Sequence, residues 1–221
     1  MTAFVLVPGA MATGRHWEHV VAALRGAGHE GIAPDLPAGP ESGLGACAAA
    51  VAAAAEGHGG VVVAGHSLGC FTAPLAAALA DASLLVLVCP MIPAPAESPA
   101  EWWERTGWEE ARRAAGSSGD PDLDADFFHD VPPDRAAEAR RDAERPGPAA
   151  MWEEPWPLTA WPDVPTRVLL CRGDRFFPAP FVRRLARERL GVVPDEMEGG
   201  HLPALARPRE LADRLIALAQ A

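Results

Sequence analysis

Short, nearly continuous apolar runs recur along the chain and alternate with longer stretches rich in Ala, Leu and Arg. Six of these apolar runs have the length of β-strands: residues 4–8, 31–34, 61–64, 84–89, 167–171 and 192–197. Because polar residues do not alternate within them, they predict strands of a sheet that is covered on both faces. Helices are predicted between them, over residues 15–27, 43–56, 68–80, 179–190 and 208–220. This order predicts an α/β fold with a mostly parallel six-stranded sheet and helices on both faces.

The alternation stops between residues 91 and 163, where charge and aromatic content both change. Residues 97–163 hold 17 of the 30 acidic residues, 7 of the 19 arginines and six of the seven tryptophans. We therefore predict a mostly helical insert over residues 91–163 that lies as a cap over one end of the sheet. Residues 1–90 and 164–221 are predicted to form the core.

Composition narrows the classes of partner and cofactor. The net charge of −11 disfavours nucleic acid and anionic membranes as partners. No apolar run reaches the roughly 18–20 residues of a membrane span, and no basic leader precedes the first strand. The four cysteines are widely spaced, which indicates reduced thiols and a cytoplasmic protein without a metal site. The chain contains no lysine, so Schiff-base chemistry is excluded.

One motif carries chemistry. Gly65-His66-Ser67-Leu68-Gly69 lies between a predicted strand and a predicted helix, which is the context of a G-x-S-x-G nucleophile elbow. The tight turn needs glycine on both sides because a side chain there would meet neighbouring backbone. The Leu68 N–H, at the start of the helix, is predicted to donate to an oxyanion.

A serine nucleophile needs a base, and the base needs an acid that orients it. In this topology the chain order is serine, acid, histidine. His201 follows the last predicted strand and Asp174 follows the strand before it, so Ser67, His201 and Asp174 are the predicted catalytic residues. His66 is predicted to pack beside the serine, and a pocket role is left open for His129.

Four other carboxylates are alternatives for the acid. Asp163 precedes its strand, at the wrong end of the sheet. Asp195 and Glu198 lie in or beside the last strand and would be poorly aimed at His201. Asp35 follows the second strand, in the opening half of the sheet.

The loop after the first strand, Pro8-Gly9-Ala10-Met11, is predicted to supply the second oxyanion donor through the Ala10 N–H. Apolar residues near the site suggest a hydrophobic substrate pocket formed by Met11, Trp102, Trp103, Trp108 and Phe177. A small core of the insert's own is the alternative for the tryptophans. The predicted partner is a small, hydrophobic molecule, and the sequence does not indicate an oligomeric state.

At this point the sequence resembles the α/β-hydrolase family over nearly its whole length. The loop 10–17 and the run Glu-Gly-Gly-His-Leu-Pro-Ala-Leu-Ala-Arg-Pro resemble its plant-type methylesterase and hydroxynitrile lyase branch. The resemblance implies a triad of Ser67, His201 and Asp174 with oxyanion donors at Ala10 and Leu68, and it implies no cofactor.

Two departures from the family pattern bear on the reaction. Pro8-Gly9 stands where the family usually has His-Gly, and Leu202 follows His201 where cyanohydrin-cleaving members carry a lysine. Cyanohydrin cleavage is therefore disfavoured. The leading hypothesis is hydrolysis of a carboxylic ester, such as a methyl ester, or of a thioester. The alternatives are lyase, cyclase or C–C bond-cleaving chemistry with the same triad, and a binder without catalysis.

Overall fold

The computed structural model describes residues 1–117, 119–144 and 147–221. A six-stranded sheet, all parallel in the described residues, runs through the molecule in the order β2-β1-β3-β4-β5-β6. Its strands are β1 Ala3–Val7, β2 Glu30–Ile32, β3 Val62–His66, β4 Leu84–Val88, β5 Thr166–Cys171 and β6 Asp195–Met197. The predicted fold class is confirmed.

The edge strands are shorter than the sequence pattern predicts. β6 pairs with β5 only from Asp195 onward, because Pro194 has no N–H to donate to the ladder. β2 ends at Ile32, shortly before Pro34. Proline therefore sets the start of one edge strand and stands just beyond the end of the other.

Helices cover both faces of the sheet. Their bounds are α1 Glu18–Gly26, α2 Leu44–Ala54, α3 Gly69–Leu79, α4 Pro99–Thr106, α5 Trp108–Ala114, α6 Pro133–Asp142, α7 Ala179–Leu190, α8 Pro203–Ala206 and α9 Pro208–Gln220. Side chains of β1 alternate between the two faces of the sheet. Val5 and Val7 point to the face covered by α2, α3 and α7, whereas Phe4 and Leu6 point to the face covered by α1 and α9. Apolar residues on both strand faces are thus buried, as the continuous runs predict. Within the described residues, no helix is long and apolar enough to cross a bilayer.

The elements assigned to the chain between β4 and β5 are helical. They are α4 to α6, a π-helical turn at Leu123–Phe127 and a 3-10 turn at Ala150–Trp152. Its buried tryptophans pack into the main core, and each indole N–H finds a backbone carbonyl. Trp102 donates to Ile92 at 2.9 Å and Trp156 to Phe71 at 3.1 Å. These tryptophans therefore belong to the main core and do not form a separate core of the insert.

Glu154 links the insert to the start of α2. The helix is preceded by Gly43, which has no side chain to cap it, and Glu154 Oε2 accepts from the Leu44 N–H at 2.6 Å. Replacing Glu154 with alanine is expected to lower the free energy of unfolding by about 1–2 kcal/mol, because a helix cap is lost. Urea unfolding measures this, with the exposed neighbour Glu153→Ala as the control. Equal stability of the two variants would contradict the capping role.

Candidate active site

The turn from β3 into α3 presents Ser67 in a conformation that few residues adopt. Its φ is +52°, in the left-handed region. A Cβ on Gly65 would lie 2.7 Å from the Ala73 Cβ, and one on Gly69 would lie 2.5 Å from the Pro8 carbonyl oxygen. Both flanking positions therefore require glycine, for the steric reason that the motif itself suggests.

The structure brings together the three predicted catalytic side chains. His201 Nε2 lies 3.1 Å from Ser67 Oγ, and His201 Nδ1 lies 2.8 Å from Asp174 Oδ2. Because an ionised carboxylate can only accept, His201 Nδ1 carries the proton and Nε2 is free to accept from the serine hydroxyl. Ser67, Asp174 and His201 are 7%, 6% and 2% exposed, so this chain of hydrogen bonds is shielded from water.

The Asp174 carboxylate is held from its other side as well. Its Oδ1 accepts from the backbone N–H groups of Phe176 at 2.9 Å and Phe177 at 2.8 Å. Two backbone donors stabilise the ionised form and fix the orientation of the carboxylate. Oδ2 is consequently aimed at His201.

The alternative acids lie elsewhere. Asp195 pairs with Arg167 at 2.9 Å, and Glu198 pairs with Arg172 at 2.8 Å. Asp35 accepts from the Gly14 N–H at 2.8 Å. Asp163 precedes β5 and Asp174 follows it, so the two residues lie at opposite ends of that strand.

His66 packs against His201, with 5.0 Å between the centroids of the two rings. Its Nε2 lies 2.8 Å from the His201 carbonyl oxygen, to which it donates. Burial, reinforced by the nearby His201 ring, lowers the pKa of His66 to about 3. His66 thus remains a neutral donor that anchors the backbone of His201.

This depressed pKa predicts loss of stability in acid. As the pH falls from about 6.5 to about 3, an unfolded His66 takes up a proton that the folded protein excludes. The free energy of unfolding should therefore fall by about 1.4 kcal/mol per pH unit in this window from His66 alone. Urea unfolding between pH 4 and 7 measures the slope. A His66→Gln variant, which can still donate to the His201 carbonyl, should lose this contribution; an unchanged slope would contradict it.

A cavity of about 470 Å³ opens beside the serine turn. Its wall includes Ala10 and Leu68, the two predicted oxyanion donors. The Leu68 N–H stands at the start of α3, where backbone N–H groups have no partner within the helix. The two residues predicted to supply the oxyanion donors therefore line one cavity next to Ser67.

Comparison with protein-family models yields a match to the alpha/beta hydrolase family over residues 4–214. The chain belongs to the alpha/beta hydrolase family. This confirms the resemblance inferred from the motifs. No curated protein sequence matches this hydrolase.

Solved structures share the fold at low sequence identity. Polyneuridine aldehyde esterase superposes with a TM-score of 0.81, 20% identity and 99% coverage of both chains. An extracellular alpha/beta-hydrolase from Paenibacillus species gives 0.79 and 20%, again over 99% of both chains. A methylesterase from Arabidopsis gives 0.77 and 16%, over 100% of this chain and 99% of that one. At these identities the likeness is one of fold.

The structure separates the aromatic residues predicted to line the substrate pocket from the cavity. Met11 lines it, but Trp102, Trp103, Trp108 and Phe177 belong to a packed aromatic cluster. The Phe177 ring lies 4.9 Å from the His201 ring, centroid to centroid. In this hydrolase Phe177 therefore packs against His201, and the three tryptophans pack with Phe177 and with one another instead of lining the cavity.

Other residues, from the insert and from the core, line the cavity in their place. Met151 and Trp152 of the insert and Leu36 of the core contribute to its apolar wall. Asp35 and Asp142 contribute carboxylates. Sequence reasoning missed these positions. Trp152 stood out only as one of six tryptophans, and nothing local distinguishes it from those that turn into the core.

Two insert residues, His129 and Asp130, lie next to the backbone that leads into His201. His129, for which a pocket role was left open, packs against Gly200, and the neighbouring Asp130 accepts from the Gly200 N–H at 2.7 Å. His129 does not line the cavity described above. Asp130 was not singled out from the sequence, because it is one of many acidic residues in the insert.

Cys89, Asp174 and His201 have potential ligand atoms within 4.8 Å of one another. A hydrogen bond to Cys171 and burial raise the pKa of the Cys89 thiol far above its ordinary value, which favours the protonated form. Metals bind the thiolate, and His201 Nδ1 and Asp174 Oδ2 already bond each other. The closeness of Asp174 and His201 in this group is accounted for by their hydrogen bond to each other.

Proposed function

We propose that this hydrolase cleaves a neutral carboxylic ester, such as a methyl or other small-alcohol ester, or a thioester of a hydrophobic acyl group. The observation that carries the proposal is the buried chain of hydrogen bonds from Asp174 through His201 to Ser67 Oγ. Leu68 and Gly69, directly after Ser67, stand in the wall of a largely apolar cavity. The names of the esterase and methylesterase with the same fold support the ester class.

The reaction follows from the hydrogen-bond directions. Ser67 Oγ attacks the carbonyl carbon while its proton passes to His201 Nε2, and Asp174 stabilises the imidazolium that forms. The N–H groups of Ala10 and Leu68 bind the oxyanion, where a single donor typically contributes about 3 kcal/mol to the transition state. His201 then protonates the leaving alcohol or thiol. A water molecule, deprotonated by His201, then attacks the acyl carbon. The bond from that carbon to Ser67 Oγ breaks, Oγ recovers the proton from His201 Nε2, and the carboxylic acid leaves.

The cavity wall indicates which acyl groups fit. Met11, Met151, Trp152 and Leu36 offer apolar surface, and a cavity of about 470 Å³ is within the usual size range for a small-molecule site. The carboxylates of Asp35 and Asp142 would repel an anionic acyl group. We therefore propose uncharged, hydrophobic esters over dicarboxylic ones.

We also propose that residues 91–163 act as a cap over the core formed by 1–90 and 164–221. The support is that Asp142, Met151 and Trp152 of the insert contribute to the wall of the cavity, together with the loop after β1. A cap at this place would exclude water from the acyl-enzyme and select the acyl group.

A substrate screen tests the proposal. The panel consists of p-nitrophenyl acetate, butyrate and octanoate, methyl esters of aryl acids, a thioester and the half-ester of a dicarboxylic acid. Each is assayed beside labelling with a serine-directed fluorophosphonate. We expect turnover of the neutral esters and little turnover of the anionic one. Labelling of Ser67 without hydrolysis of any ester or thioester would overturn the proposal in favour of lyase or cyclase chemistry.

A further inference from the structure

The segment that carries the catalytic histidine is held by the insert as well as by the core. Asp130 lies in the loop between the π-helical turn and α6, and its Oδ2 accepts from the Gly200 N–H at 2.7 Å. Gly200 directly precedes His201 in the chain. Hydrogen bonds that involve an ionised carboxylate are stronger than neutral ones, so this contact is a firm anchor.

The fit between the two segments leaves no room for a side chain. A Cβ on Gly200 would lie 2.6 Å from Asp130 Oδ1 and 2.6 Å from His129 Cε1. Gly199 has a φ of +117°, which side chains rarely adopt. Because Gly199 and Gly200 have no side chains, their backbone lies directly against residues 129 and 130.

Neighbouring contacts hold the chain on both sides of His201. The Phe127 ring lies 5.3 Å from the His201 ring in an edge-on arrangement. After the histidine, Leu205 packs against Val131 and α6, and Arg135 Nη1 donates to the Leu205 carbonyl at 2.7 Å. Of the two hydrogen bonds described here between the insert and this segment, the one accepted by Asp130 is nearer in the chain to His201, since Gly200 directly precedes it.

The contact between Asp130 and Gly200 also has an energetic cost. Asp130 Oδ1 and His129 Nδ1 are both buried without a hydrogen-bond partner in the described residues. A buried polar atom without a protein partner is uncommon in a native fold, because it gives up hydrogen bonds to water. An apolar residue at position 130 would avoid the cost of burying Oδ1 but could not accept a hydrogen bond from the Gly200 N–H.

The geometry points to Asp130 as a positioning residue, a carboxylate of the insert that holds the Gly200–His201 backbone so that His201 Nε2 reaches Ser67 Oγ. This inference rests on the proposed Ser67 chemistry, and it adds that the position of the insert sets the competence of the catalytic base. Movement of the loop around Asp130 would therefore switch activity without a change at Ser67.

Three variants test the role. Asp130→Ala removes the acceptor, whereas Asp130→Asn keeps an oxygen that can accept from the Gly200 N–H. Glu154→Ala is the matched control, because Glu154 is also an insert carboxylate that accepts from a core N–H, at the start of α2. The rate of Ser67 labelling by a small fluorophosphonate and the kcat and KM for p-nitrophenyl acetate are measured where circular dichroism shows each protein folded.

We expect Asp130→Ala to slow labelling and to lower kcat by on the order of tenfold to a hundredfold, with KM little changed, since displaced catalytic groups cost rates of this size. Asp130→Asn should recover most of the rate, and Glu154→Ala should label at the wild-type rate. Normal labelling of a folded Asp130→Ala protein would overturn the inference, and so would an Asn variant as slow as the Ala variant.

A second variant keeps the test decisive if Asp130→Ala does not fold. Gly200→Ala retains the carboxylate but forces the two segments apart, and it should reduce kcat more than KM. A Gly200→Ala protein with wild-type kcat would contradict the inference. Failure of the wild-type protein itself to label would instead overturn the proposed function, so the two failures are distinguishable.

Discussion

Replacement of Ser67 by alanine should lower kcat for an activated ester by on the order of a millionfold, to the residual rate left by binding and the oxyanion donors. Ser67 Oγ is the nucleophile in the proposed reaction, and His201 Nε2 lies within 3.1 Å of it. Without this oxygen no acyl-enzyme can form. Fluorophosphonate labelling should disappear with the activity.

The matched control for this variant is Ser83→Ala. Ser83 is another serine of the core, at the entrance to β4, where its hydroxyl donates to the Val61 carbonyl at 3.0 Å. It lies at the opposite end of β4 from Cys89, so its loss should leave kcat unchanged. A Ser67→Ala protein that still turns over esters at the wild-type rate would remove the nucleophile assignment, and with it the acyl-enzyme.

The core of the fold was predictable because its signals are local. Apolar runs with the length of strands, separated by helical stretches, specify a covered parallel sheet without knowledge of any long-range contact. The elbow is recognisable from a local motif as well, although Gly69 is required by a contact with the Pro8 carbonyl, which is distant in the sequence. The family match over residues 4–214 agrees with this assignment.

The substrate cavity was not predictable in the same way. Trp102 and Trp152 both belong to the acidic insert, yet one is buried in the core and the other faces the cavity. Which side each takes depends on how the helices of the insert pack against α7 and the sheet. Glu154 and Asp130 depend on tertiary packing too, since each meets a backbone N–H far away in the sequence.

Asp174→Asn should lower kcat by about 10⁴-fold while the fold persists. The N–H groups of Phe176 and Phe177 would hold the asparagine oxygen, as they hold Asp174 Oδ1 at 2.9 and 2.8 Å. The amide nitrogen would then face His201 Nδ1 and donate to it. This selects the tautomer with the proton on Nε2, which cannot accept the proton of Ser67. Steady-state kinetics with p-nitrophenyl butyrate measure the loss.

The same substitution at the alternative acids separates a tautomer effect from a change of charge. Asp195→Asn removes an equal charge from the chain but acts on the pair with Arg167, whose nitrogen lies 2.9 Å from the Asp195 carboxylate. It should keep kcat near the wild-type value. A large loss in Asp195→Asn together with an active Asp174→Asn would transfer the role of the acid to β6. A large loss of kcat in Asp174→Asn with a near wild-type kcat in Asp195→Asn would instead assign the orientation of His201 to Asp174. Only the substitution next to His201 would then have lowered the activity of an unaltered Ser67.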